Sequence, residues 1–253
     1  MANVNTITYT CCNKILWITI ARIEKHNAFD KQLLLALCEA IQAGINNPHV
    51  IAICLQAAGH YFSTGADLNS LRNIPNSDWE QTLAQVLLTW YQCPKPTLCI
   101  VQGDAYGGAL GLIAASDYVI ANEQAQFCFS ELKLGLIPAV ISPYILETMG
   151  YKQTKSLFLS AQKFSAPTAL IKQLIDEALP QYELESRAQA ILQNWLELPP
   201  EALHSIKPWL YTLKNVPIDA QLSTKTAAKL TEVRKTVSAQ KLLNAFLQAR
   251  NKG

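Results

Sequence analysis

Charge is scarce in this chain. Only 16% of its 253 residues are charged, and 21 basic side chains against 19 acidic ones leave a net charge of +2. No basic stripe or acidic tail is present, which argues against nucleic acid and charged surfaces as partners. The seven cysteines, at 11, 12, 38, 54, 93, 99 and 128, never form a CxxC pair and are odd in number. That excludes a disulfide framework and a cysteine zinc site, and points to reduced, mostly buried thiols. The four histidines, at 26, 49, 60 and 204, show no ligand spacing, so no metal is expected. MANVNTITYT lacks a basic segment followed by an apolar core, and a cytoplasmic protein is expected. The longest apolar stretch, Pro96 to Ala115, is interrupted by Gln102, Asp104 and glycines. It reads as a buried strand, a turn and a buried helix, not as a membrane span.

Half of the residues are apolar, enough for a substantial core. Residues 5 to 20 alternate around Asn13 and Lys14, as a β-hairpin does. Asp30 reads as the N-cap of a helix that runs until Asn46, Asn47 and Pro48. VIAICLQ, Val50 to Gln56, and Thr97 to Val101 are buried-strand runs, with a helix from about Asp78 to Tyr91 between them. Strand, glycine-bearing loop and helix alternate to about residue 130, which favours helices covering a mostly parallel sheet. Beyond Pro138 helix starts multiply, with Ser142-Pro143 and Ser165-Ala166-Pro167 reading as caps followed by an early proline. Pro199-Pro200 marks a hinge, giving a core over 1–198 and a C-terminal helical segment over 199–253.

Two loops invite chemistry: GHYFSTGADL (Gly59 to Leu68) and GDAYGGALG (Gly103 to Gly111). Each follows a buried strand, where open α/β sheets bind ligands, and each can present backbone N–H groups. Two such donors aimed at one oxygen form an oxyanion hole, worth roughly 3–4 kcal/mol of barrier per donor. A phosphate loop would need Lys and Ser or Thr after Gly108, where Ala109 and Leu110 stand. A dinucleotide fingerprint would need glycine in place of Tyr106.

FSTGADL, VQGDAYGGALGL, AASDYVIA and AQFCFSELKLGLIP, in this order, resemble the enoyl-CoA hydratase/isomerase (crotonase) superfamily. The likeness runs from ARIEKHNAF near residue 21 to FSAPTAL near 165. It implies a spiral of ββα units, acyl-CoA thioester substrates with no separate cofactor, and homotrimers or hexamers. It also implies that the N–H groups of Ala66 and Gly108 hold the thioester oxygen. Ala66, Asp67, Leu68 and Asn69 would line the CoA segment, and Lys25 would reach a CoA phosphate. Two-glutamate hydratases carry one carboxylate where Glu131 stands and another where this chain has Gly111.

The departure at Gly111 bears on the reaction. Glycine inside a helix costs about 1 kcal/mol relative to alanine, so Gly111 reads either as close helix packing or as room for a bulkier acyl chain or water. One glutamate still suffices for moving a double bond from the β,γ to the α,β position, or for hydration if it both activates water and supplies the α-proton. LGLIPAVISPYI, Leu134 to Ile145, resembles hydratases of branched substrates such as methylglutaconyl-CoA or carboxygeranoyl-CoA. Hydration is therefore the expected reaction, with isomerisation and a catalytically weak acyl-CoA-binding role as alternatives. The apolar stripe in KLLNAFLQA, Lys241 to Ala249, is expected to serve oligomerisation.

Overall fold

The structure, a computed structural model, describes residues 6–72 and 78–250. It opens with the expected hairpin, β1 (Ile7–Cys12) and β2 (Ile15–Ile20). Asn13 and Lys14 both take positive φ, 50° and 65°. That is the two-residue turn whose twist matches antiparallel strands. Helix α1 (Lys31–Asn46) starts where the Asp30 side chain accepts from the Leu33 N–H at 2.8 Å. It buries Leu33, Leu34, Leu37, Ala40 and Ile41.

From there a unit repeats: a strand in a large sheet, a three-residue strand in a small sheet, then helix. The first repeat is β3 (Ala52–Ala57), β4 (Tyr61–Ser63), α2 (Leu68–Arg72) and α3 (Trp79–Tyr91). The second is β5 (Thr97–Val101), β6 (Asp104–Tyr106) and α4 (Ala109–Ala114). The third is β7 (Tyr118–Asn122), β8 (Gln126–Cys128), a 3-10 turn at Glu131–Leu134, and α5 (Ser142–Ser160), which breaks at Gly150. The unit closes with β9 (Phe164–Ser165), α6 (Ala166–Ile171), β10 (Glu177–Leu179) and α7 (Leu184–Glu197).

The large sheet has the order β1-β2-β3-β5-β7-β10 and the small one β4-β6-β8-β9. Each repeat thus adds one strand to each sheet, which is the spiral of ββα units that the resemblance implies. Beyond the hairpin the large sheet is parallel, and β4, β6 and β8 are parallel neighbours in the small one. Their carboxyl ends lie side by side, so the loops that follow them converge. Asp117 braces this frame: its Oδ2 accepts from the Thr97 N–H at 2.8 Å and the Thr97 hydroxyl at 2.9 Å, at the start of the wholly buried β5.

Two start signals differ from each other. Ser165 caps α6, accepting from the Thr168 N–H. Ser142 does not cap α5; Ile141 holds that position, and the Ser142 hydroxyl donates back to Pro138 O at 2.6 Å. Proline at the second helical position suits either arrangement.

Two compact units divide the chain, the second beginning at Glu197. The first holds both sheets and the hydrophobic core. The second comprises α8 (Pro200–Leu213), α9 (Ala220–Arg234) and α10 (Val237–Arg250). Helices α8 and α9 bury none of their residues, and Leu230 and Phe246 are each 70% exposed. Among the described residues, no helix is long and apolar enough to cross a membrane.

Candidate active site

Backbone contact joins the loops after β4 and β6. Gly65 has φ +83°, and a Cβ there would lie 2.7 Å from Tyr106 O and 3.5 Å from Gly107 Cα. Only glycine fits such an approach. Gly107 has φ +53°, and a Cβ on it would lie 3.4 Å from Glu131 Oε1. Two glycines therefore bring the two loops and the Glu131 carboxylate into one contact chain. Ala66 follows the first glycine and Gly108 the second.

The Ala66 loop is held on its other side by Phe29, whose N–H donates to Gly65 O at 2.7 Å and whose carbonyl accepts from the Asp67 N–H at 3.0 Å. The Trp79 indole N–H donates to the same carbonyl at 2.9 Å. Gly108 is the N-cap of α4, where backbone N–H groups have no helical partner. Among the hydrogen bonds of the described residues, none is donated by the Ala66 or Gly108 N–H. Both are free to meet a ligand oxygen.

A cavity of about 660 Å³ opens at these loops. Ala66, Gly107, Gly108 and Glu131 line it, with Trp79, Leu83, Ile137, Val140 and Ile141 as much of its apolar wall. Lys25, Asp67, Leu68 and Asn69 line it as well. Lys25 is exposed at the end of the 3-10 turn Ile23–Lys25, and Leu68 is 56% exposed. Asp67 turns its charge inward: Arg22 Nη1 contacts Oδ2 at 2.9 Å, and the Asn69 N–H donates to Oδ1 at 2.9 Å. Burial pushes the Asp67 carboxyl up, but the Arg22 and backbone hydrogen bonds and the Arg22 charge outweigh it and hold it low.

Glu131 begins the 3-10 turn after β8, with Gly135 closing that turn at φ +73°. It is half-buried, and its Oε2 is buried with no hydrogen-bond partner. Burial pushes its carboxyl above the ordinary range, against a hydrogen bond from its own backbone. A buried carboxylate oxygen left unpaired is poised to take a proton.

Gly111 lies buried in α4, and its place overturns the reading of open room. A Cβ there would stand 2.5 Å from Ile141 Cγ2 and 3.0 Å from Leu87 Cδ1. Ile141, the cap residue before α5, fills the volume that a side chain at 111 would occupy. Asp104 and Tyr106 face each other instead of the cavity: the Tyr106 hydroxyl donates to Asp104 Oδ2, and Asp104 Oδ1 accepts from the Gln126 N–H. Trp79, Glu80 and Leu83 carry no motif; only the packed chain brings them to this site. Among the described residues, no group of three or more His, Cys, Asp or Glu is placed to hold a metal.

Residues 10–252 match the family model for enoyl-CoA hydratase/isomerase. A solved structure from Legionella pneumophila, provisionally named an enoyl-CoA hydratase/isomerase (crotonase), superimposes with a TM-score of 0.92. It is 37% identical, with 98% of each chain covered. A Thermus thermophilus protein provisionally named an enoyl-CoA hydratase is 27% identical, over 90% of this chain and 92% of its own. A mouse peroxisomal enoyl-CoA delta isomerase is 28% identical over 79% of this chain and 65% of its own.

Proposed function

Because the chain belongs to the enoyl-CoA hydratase/isomerase family, whose members bind acyl-CoA thioesters, we propose that it shifts the double bond of an enoyl-CoA from the β,γ to the α,β position with Glu131 as its one acid–base group. Glu131 takes a proton from the α-carbon, and the electron pair moves into a dienolate whose negative charge rests on the thioester oxygen. The N–H groups of Ala66 and Gly108 stabilise that oxygen as the charge develops. The Glu131 carboxylic acid then returns the proton to the γ-carbon, which leaves the conjugated thioester and restores the carboxylate. The CoA moiety runs along Ala66 to Asn69, with Lys25 towards a phosphate.

The observation that carries this reading is the pairing of one unpartnered carboxylate oxygen with an apolar wall at Val140 and Ile141, where Ile141 fills the Gly111 position. A nucleophilic water needs two or more polar partners to be held in place, and that wall offers none. Water addition by the same glutamate is the second reading. The likeness of Leu134 to Ile145 to branched-substrate hydratases supports it, as does the name of the Thermus relative.

The test is to give the purified protein a β,γ-enoyl-CoA and crotonyl-CoA and follow the conjugated-thioester absorbance. Bond migration raises it with the first substrate and leaves the second unchanged. Faster loss of absorbance with crotonyl-CoA would establish hydration instead, and no change with either would remove the enzyme reading.

A further inference from the structure

Gly111 of α4 and Ile141, the cap residue of α5, behave as a size-exchanged pair. A side chain is deleted on α4, and a branched one from the start of α5 fills its volume. Ile141 is 2% exposed and has little freedom to leave. Its carbonyl accepts from the Tyr144 and Ile145 N–H groups, both at 3.1 Å. The two helices are further pinned where the Thr148 hydroxyl donates to Ala114 O at 2.9 Å. Yet Ile141 also lines the cavity, so the residue that seals the Gly111 position is one an acyl chain would meet.

We infer that Ile141 determines specificity: it presents hydrocarbon to the acyl chain beside the Gly111 position, and so favours plain acyl chains over those bearing a 3-hydroxyl. The inference rests on the proposed acyl-CoA function. A hydroxyl laid against this wall gives up its hydrogen bond to water without gaining one on that side, and an unmade hydrogen bond is expensive in a buried site. A hydrophobic wall discriminates in this way by about 10²-fold at most.

Ile141→Val and Ile141→Thr test it, because the two variants match in volume and differ by a methyl against a hydroxyl. Binding of butyryl-CoA and 3-hydroxybutyryl-CoA to both variants and to wild type would be measured by calorimetry. The expected result is that Ile141→Thr binds the 3-hydroxyacyl ester, relative to the plain one, roughly 5-fold better than Ile141→Val does, the net worth of one neutral hydrogen bond. Equal ratios in the two variants would overturn the inference while leaving the proposed function standing. Failure of wild type to bind butyryl-CoA would overturn both. Should Ile141→Thr not fold, Ile141→Ala and Ile141→Ser make the same comparison at smaller volume.

Discussion

On the side of the cavity that follows β8, a half-buried carboxylate keeps one buried oxygen unpartnered. On the side lined by Ile141, a glycine of α4 behind the wall yields its side-chain volume to Ile141 and Leu87. The first wall carries a polar group whose burial opposes its own charge; the second is packed hydrocarbon. One face therefore has a group without a protein partner, and the other has packing without chemistry. The glycines of the site divide the same way. Gly65 and Gly107 are demanded by positive φ and by close backbone or carboxylate approach, whereas Gly111 sits in an ordinary helix and is demanded by a neighbour on another helix.

The largest break in this contrast comes from Glu131→Gln. Turnover should fall by roughly 10² to 10⁴, the usual contribution of a positioned acid–base group. Acyl-CoA affinity measured by calorimetry should stay within a few-fold. The pH dependence follows from the same carboxyl. Its folded pKa lies above the unfolded value of 4.5, so the folded state binds the proton more tightly, and stability declines as pH rises from the unfolded pKa through the folded one. Glu131→Gln should then melt higher than wild type at neutral pH, with the gap closing in acid. Wild-type kcat/KM should fall as pH drops through a pKa above the ordinary carboxylate range.

Gly65→Ala ranks next. Its Cβ would meet Tyr106 O in a backbone region hostile to alanine, a strain of about 1–3 kcal/mol. Displacing the Ala66 N–H should lower kcat by roughly 10²-fold, as steady-state kinetics would show. Gly111→Ala should destabilise by about 1–3 kcal/mol through overpacking. Most of that should disappear in an Ile141→Ala background, and denaturant unfolding of the four proteins measures the coupling. The smallest effect is expected at exposed Lys25: Lys25→Ala should raise KM a few-fold, more at low salt than at high, with kcat unchanged.

Much of the frame was legible before the structure. The hairpin, α1, β3 and β5 follow from alternation, an Asp cap and β-branched runs, because those signals act over neighbouring residues. The strands β4, β6 and β8 are three residues each, too short for any periodicity, although they aim the site's loops. Motif likeness singled out Ala66, Gly108 and Glu131. Ile141 was not legible: its contact with Gly111 depends on how α4 meets α5. The helical glycine announced that something packs closely there, but not what.

The central claim is that one carboxylate both removes and returns the proton beside a dry wall. Isomerisation of a β,γ-enoyl-CoA in D₂O, with isotope position read by NMR, tests it most directly. A single shielded base predicts that a measurable share of the product carries protium at the γ-carbon, transferred from the α-carbon of the same molecule. Complete deuteration at that carbon from the first turnover would contradict it.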